Sequence, residues 1–160
     1  MKTYFHVMDS AIGPLSYVWE EGGDILFLGC SLPGYIGIRP ARKKHALLEK
    51  EIKGYLGQRI ETFTVKARLI SRSRFFKKVL GTLQNTSYGQ VLSYKKLAEE
   101  AGYPLAWRAV GTALSKNPLM ILIPCHRVVQ ASGKLGNFSG GVGIKKFLLD
   151  LESRSASKGE

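Results

Sequence analysis

The 160 residues, 44% of them hydrophobic, suffice for a buried core in one ordinary domain or in two small ones. Two cysteines, Cys30 and Cys125, are too few for a secreted disulfide scaffold, and with only His6 and His45 scattered near Cys30 they make no zinc site, so neither a metal nor another cofactor is expected. No apolar run reaches the roughly 18 to 20 residues of a membrane span, and Met1–Asp9 lacks the apolar stretch of a signal peptide, so a soluble cytoplasmic protein (nuclear in a eukaryote) is expected.

The N-terminal part reads as a small sheet followed by a helix. Leu15, Tyr17 and Trp19 alternate as on a half-buried strand, Glu20–Asp24 is a turn, and Ile25–Cys30 completes a hairpin. Pro33-Gly34 and Arg39-Pro40 break the chain. Ala46, Leu47, Ile52, Tyr55 and Leu56 fall near helical spacing within residues 43–57, with Gly57 as the stop, and Ile60–Val65 reads as a third strand. From Ser71 the pattern turns helical. Phe75, Phe76, Val79, Leu80 and Leu83 form an amphipathic stripe ending near Asn85, and Tyr88–Val91 is a turn or short strand. Ser93 fits the N-cap of a helix carrying Leu97, Ala98 and Ala101, which stops at Gly102; after Tyr103-Pro104 a second short helix spans Ala106–Ser115. Helix, Gly-containing turn and helix make the layout of a helix-turn-helix. Ser153–Glu160, small, polar and mixed in charge, reads as a disordered tail.

The net charge of +12 is unevenly spread: residues 1–65 carry 8 basic and 7 acidic side chains, residues 66–160 carry 16 and 5. A segment that basic attracts polyanions, because each neutralised phosphate releases condensed counterions. Nucleic acid is the favoured partner, with RNA or an anionic membrane surface as rivals.

The chemistry concentrates in Ile121-Leu122-Ile123-Pro124-Cys125-His126-Arg127-Val128-Val129, where an apolar strand delivers a proline, a cysteine and a histidine. Cysteine reacts as thiolate, and its pKa falls beside cations, for which His126 and Arg127 are the candidates. Neighbouring residues diverge in both strand and helix, so a bridging water is the easier route from Cys125 to His126. A carboxylate would fix the imidazole tautomer, and Asp150 and Glu152 are the downstream choices. Cys30 has no such context and reads as a buried, inert cysteine. Five glycines in Gly133–Gly143 make a loop whose backbone can approach a planar ligand; the Gly-Lys-[Ser/Thr] ending of a phosphate-binding loop is missing.

Pro124-Cys125-His126-Arg127 in this setting resembles the signature of O6-alkylguanine-DNA alkyltransferases. The resemblance runs from about Phe75 to Glu152 and takes in Tyr88–Tyr94, Arg108-Ala109-Val110-Gly111, Asn117-Pro118 and Gly136–Gly141. The N-terminal part agrees only through Asp9-Ser10 and Gly13-Pro14-Leu15. It implies an α/β fold: a ribonuclease-H-like α/β domain over residues 1–68, then a winged helix-turn-helix domain over 69–152. It also implies direct-reversal repair of double-stranded DNA, in which Cys125 takes the alkyl group from O6-alkylguanine, with O4-alkylthymine as a second candidate substrate. The thioether would not be regenerated, so each molecule, a monomer, would act once.

By the same resemblance, His126 would deprotonate Cys125 through water, Glu152 would orient His126, and Asn117 would brace the turn. Tyr94 would give a proton toward guanine N3. Ser139 would contact O6, and the carbonyls of Cys125 and Val128 would accept from the exocyclic amine. Arg108 would enter the duplex from the minor groove and fill the space of a flipped-out base. Ala109, Gly111 and Gly136 are further DNA- or substrate-contacting positions. Phe138 stands where many relatives have tyrosine, so it could stack on the base without a hydroxyl hydrogen bond. Two rivals stand beside this reading. A non-catalytic DNA-binding regulator would explain the charge and the helix pair but not the Pro-Cys-His-Arg run, and Cys125→Ala would spare it. A cysteine hydrolase built on Cys125, His126 and Glu152 would turn over.

Overall fold

A computed structural model describes residues 2–31, 41–71 and 73–158. The chain forms two compact units: unit one runs to Ile70 and also holds Pro118–Leu122, and unit two holds Ser71–Asn117 and Ile123 onward. A single division after residue 68 misses that return of the chain to unit one.

Unit one is a four-stranded sheet of order β3-β2-β1-β4. Strands β1 (Thr3–Met8), β2 (Leu15–Glu20) and β3 (Ile25–Gly29) are antiparallel, and β4 (Ala41–Arg42) lies parallel to β1 at the edge. This is the strand arrangement of a ribonuclease-H-like sheet, in a mixed α/β chain. Leu15, Tyr17, Ile25 and Leu28 of the hairpin are buried with Leu48, Ile52 and Tyr55 of helix α1 (Ala46–Leu56). Tyr17 donates to the Glu49 carboxylate across 2.6 Å, and His45 caps α1 by accepting from Leu48 N–H.

Three expectations for unit one need correction. Ile60–Val65 is not a strand, because the Glu51 carboxylate accepts from the N–H groups of Thr64 and Val65 and from the Thr64 hydroxyl, occupying donors that a ladder would use. Only the Ile25–Ala67 bridge reaches the sheet there. Cys30 is exposed, because β3 ends at Gly29 and the chain leaves the sheet. The apolar run before Pro124 is not a regular strand either: Leu119 bridges to Leu28, and the backbone then turns. The breaks at Pro33-Gly34 and Arg39-Pro40 lie outside the described residues.

Unit two packs four helices around Val79, Leu80, Leu83, Leu97, Ala98, Val110 and Leu148, all buried. They are α2 (Arg74–Gln84), α3 (Tyr94–Glu100), α4 (Trp107–Ser115) and α5 (Val142–Lys158). Ser73 and Ser93 cap α2 and α3, each hydroxyl accepting from the N–H three residues on. Helix α5 continues through residues 153–158, where a disordered tail was expected, because after Gly143 in its first turn no Gly or Pro follows before Gly159. A two-stranded parallel sheet pairs β5 (Leu92–Ser93) with β6 (Val128–Val129).

Candidate active site

Cys125 is aimed by a turn. Its N–H donates to the Ile123 carbonyl at 2.8 Å across Pro124, whose φ of −80° and ψ of 66° are those of an inverse γ-turn. Proline suits that position, since its ring fixes φ near this value. The chain then makes one 3₁₀ turn, Cys125–Arg127, and enters β6. Just upstream, Leu122 N–H donates to the Met120 carbonyl across Ile121, which has a φ of 73°. That conformation is a strained one for a β-branched residue, costing about 1–2 kcal/mol. Asn117 bridges the two ends of the excursion: its side-chain N–H donates to the Ile123 carbonyl at 2.9 Å and it also bonds the Cys125 sulfur.

Behind the cysteine lies a buried ionic network. His126 Nε2 is 2.7 Å from Glu152 Oε2, and Arg127 Nε donates to Glu152 Oε1 at 2.7 Å. Arg127 also donates to the carbonyl and hydroxyl of Thr86. Asp150, the other candidate carboxylate, is exposed. A carboxylate accepting from Nε2–H leaves Nδ1 as the basic nitrogen of a neutral imidazole. Burial lowers the His126 pKa, and the opposing pull of Glu152 does not reverse that. Burial alone would raise the Glu152 pKa, but His126 and Arg127 bring it below the ordinary carboxylate range. His126 is therefore a neutral proton acceptor, and Arg127 is committed to Glu152. Neither supplies the positive charge the sequence suggested for Cys125.

Lys145 supplies it instead. It sits on α5, only 1% exposed, with its ammonium donating to the Asn137 carbonyl at 3.5 Å and lying 5.9 Å from the centre of the Tyr94 ring. Burial pushes the Cys125 thiol pKa up, while Asn117, the Lys145 charge and the cysteine's own N–H pull it back. Burial lowers the pKa of Lys145, and a thiolate at Cys125 would raise it. The thiol is thus neutral at rest and has a cation placed to stabilise its ionised form. Lys145, Leu148, Leu151 and Glu152 share the buried face of α5, so a lysine occupies a core position that the sequence reading missed.

Although Cys125 is only 5% exposed, it lines a cavity of about 1170 Å³. Tyr94, Arg108, Gly111, Gly136, Phe138 and Ser139 line it too. Pairing of β5 with β6, Leu92 to Val128 and Ser93 to Val129, sets the start of α3 beside the end of the Cys125 turn. Tyr94 is the first residue of α3, and burial followed by the negative charge of Cys125 raises its pKa, so its hydroxyl keeps its proton. A Cβ on Gly136, whose φ is 74°, would fall 3.0 Å from that hydroxyl, and one on Gly111 would lie 3.8 Å from the ring. Glycine at 136 thus permits both the backbone conformation and the close approach. Asn117, His126 and Glu152 are buried behind the cavity wall, Val128 is paired in β6, and Ala109 is exposed on α4 outside the lining. Among the described residues, no group of three or more His, Cys, Asp or Glu could hold a metal, and no helix is long and apolar enough to cross a membrane.

Residues 74–154 match the family model described as 6-O-methylguanine DNA methyltransferase, DNA binding domain. Methylated-DNA–protein-cysteine methyltransferases of Methanosarcina acetivorans and Methanosarcina barkeri are 31% and 34% identical to this chain, over 93% and 95% of it and 97% and 98% of their own lengths. This chain belongs to the methylated-DNA–protein-cysteine methyltransferase family. The crystal structure of Mycobacterium tuberculosis OGT in complex with DNA superposes with a TM-score of 0.87 at 32% identity, covering 95% of this chain and 94% of that one. The O6-methylguanine-DNA methyltransferase of Pyrococcus kodakaraensis gives 0.71 at 25% identity, over 94% and 98%. The activity of this methyltransferase family, transfer of an alkyl group from DNA to a protein cysteine, needs a reachable thiol, and of the two cysteines only Cys125 opens into a cavity lined by the residues above.

Proposed function

We propose that the chain repairs duplex DNA by moving the alkyl group of O6-alkylguanine onto Cys125 in a single irreversible turnover, on a base rotated out of the helix. The observation that carries this reading is the Cys125 thiol at the floor of a cavity wide enough for a nucleobase, backed by a neutral histidine and faced by a buried ammonium. The O6 atom of guanine lies on the major-groove edge of the paired base, so a recessed thiol on a protein that enters from the minor groove reaches it only when the base leaves the helix.

In the proposed step, His126 Nδ1 accepts the Cys125 proton through one water, while Glu152 holds Nε2–H. The sulfur attacks the alkyl carbon; the S–C bond forms as the C–O6 bond breaks, and the electron pair passes into the guanine ring. Tyr94 gives that ring a proton at N3, and the proton held by His126 makes good the loss, so no net proton is released. Ser139 contacts O6, the carbonyls of Cys125 and Val128 hold the exocyclic amine, and Phe138 stacks on the base. Arg108, with Ala109 and Gly111 on the same helix, enters the minor groove and fills the vacated space. O4-alkylthymine presents the same alkyl-oxygen bond and is a second substrate for the same attack. Nothing in the arrangement requires a second copy, and a monomer is the proposed active form.

A thiolate is a poor leaving group from an alkyl carbon, so water does not reverse the thioether. With excess O6-methylguanine duplex, dealkylated product should therefore stop at one equivalent per protein, and Cys125→Ala should give none. Continued release beyond one equivalent would mean a hydrolase and would overturn the proposal.

A further inference from the structure

The rim of the cavity carries two large apolar side chains that the transfer chemistry does not use. Leu105 is 93% exposed and Trp107 is 46% exposed, and both line the opening together with Pro104, Arg108 and Lys95. Their exposure is built in. Ala106 N–H donates to the Tyr103 carbonyl at 2.9 Å, so residues 103–106 form a tight turn with Pro104 at its second position and Leu105 at its outer corner. The Tyr103 ring meets Phe75 of α2 edge-on at 4.9 Å, which fixes the base of that turn. Trp107 opens α4, and the Arg108 guanidinium lies 4.9 Å from the centre of its ring. A rigid corner thus holds an aliphatic tip and an indole in water, beside the one arginine expected to enter DNA.

We propose that Leu105 and Trp107 form an apolar wedge that enters the minor groove next to Arg108 and packs against the base pair flanking the extruded nucleotide. Exposed apolar side chains on a groove-entering element act in this way, partly unstacking a base step. Three features favour duplex DNA as the occupant. The patch is continuous with the cavity that holds Cys125, it is bordered by Arg108 and Lys95 with no carboxylate on the cavity lining, and it lies in the unit where the excess positive charge resides. The stacked indole also holds the guanidinium at the rim before DNA arrives. The proposal rests on the DNA-repair reading above and adds the residues that would open the step.

Trp107 reports on itself, because Trp19 is the other tryptophan and is buried in unit one. Titrating the full chain with O6-methylguanine duplex, and separately following a labelled duplex by anisotropy, should show binding accompanied by quenching of tryptophan emission. Trp107→Phe should bind without the quench. Trp107→Ala and Leu105→Ser should each bind duplex about tenfold more weakly, in line with the loss of one stacking or apolar contact. Both should lose far less in their reaction with free O6-benzylguanine than on duplex, and that reaction also shows that they are folded. Binding with unchanged emission and undiminished affinity in both variants would overturn the wedge and leave the repair reading standing. Equal losses on duplex and free base would overturn it too. Failure of the wild-type chain to bind duplex at all would remove both.

Discussion

At the scale of single residues, the site sets a buried thiol that resists ionisation against a buried ammonium that favours it. Lys145→Met should move the rise of the alkyl-transfer rate to higher pH and leave less thiolate at neutral pH. The pH profile of single-turnover rates with a free alkylated base measures this, and an unmoved profile would exclude the ammonium from that role. The His126–Glu152–Arg127 network governs acid stability. The folded pKa of His126 lies below its ordinary value, so as pH falls below about 6.5 the unfolded chain takes up a proton that the folded chain refuses. The folded pKa of Glu152 is also depressed, so its contribution is present above the ordinary carboxylate range and is lost as pH falls through the folded value. Both signs agree: the thermal midpoint should drop below about pH 6.5 through His126 and drop further below about pH 4.5 through Glu152. Glu152→Gln should lower stability at neutral pH by about 3–5 kcal/mol, because Arg127 is left buried without its carboxylate, and should remove the further drop below about pH 4.5 while the His126 drop persists. Melting curves across that range decide it; a variant with the wild-type profile would contradict the account. Gly136→Ala should cost about 1–2 kcal/mol from its φ of 74° and slow transfer by displacing the Tyr94 hydroxyl.

At the scale of elements, the helices were legible and the devices that aim the chemistry were not. The apolar stripe of α2, the Ser93 cap of α3 and the span of α4 follow from spacing and capping chemistry, which act within a few residues. β1 was not read as a strand, because Thr3-Tyr4-Phe5-His6-Val7-Met8 has no clean apolar alternation, and its pairing with β2 decides it instead. β5 and β6 are two residues each and join segments far apart in sequence, beyond the reach of periodicity. The γ-turn at Pro124 is local, yet apolar residues before a proline read as a strand until the left-handed backbone of Ile121 is seen. Cys125 and the glycine loop could be singled out from the residues themselves, whereas Tyr94 and Arg108 could be named only through the family resemblance. Lys145 could not, because a lysine near the start of a helix reads as solvated unless the burial of its face is known. Arg108 tests the role of α4. Arg108→Ala should slow repair of duplex DNA about tenfold or more, while reaction with a free alkylated base stays within about twofold. Equal losses on both substrates would exclude a part in base extrusion.

At the scale of the whole molecule, 16 basic and 5 acidic residues in the last 95 positions give the C-terminal part the excess charge of a polyanion binder. Affinity for duplex should fall steeply and linearly on a log–log plot against salt, with a slope of about −0.9 per phosphate contacted. A flat response would mean that the basic residues do not meet phosphates. Charge, helix pair and cavity would all serve a regulator equally well; the fate of one sulfur separates that role from repair. The most direct measurement is the intact mass of the protein after incubation with duplex bearing O6-methylguanine, followed by peptide mapping. The account predicts the gain of one methyl group in place of one hydrogen, located on Cys125. An unchanged mass, or a methyl group found on Cys30 or elsewhere, would contradict it.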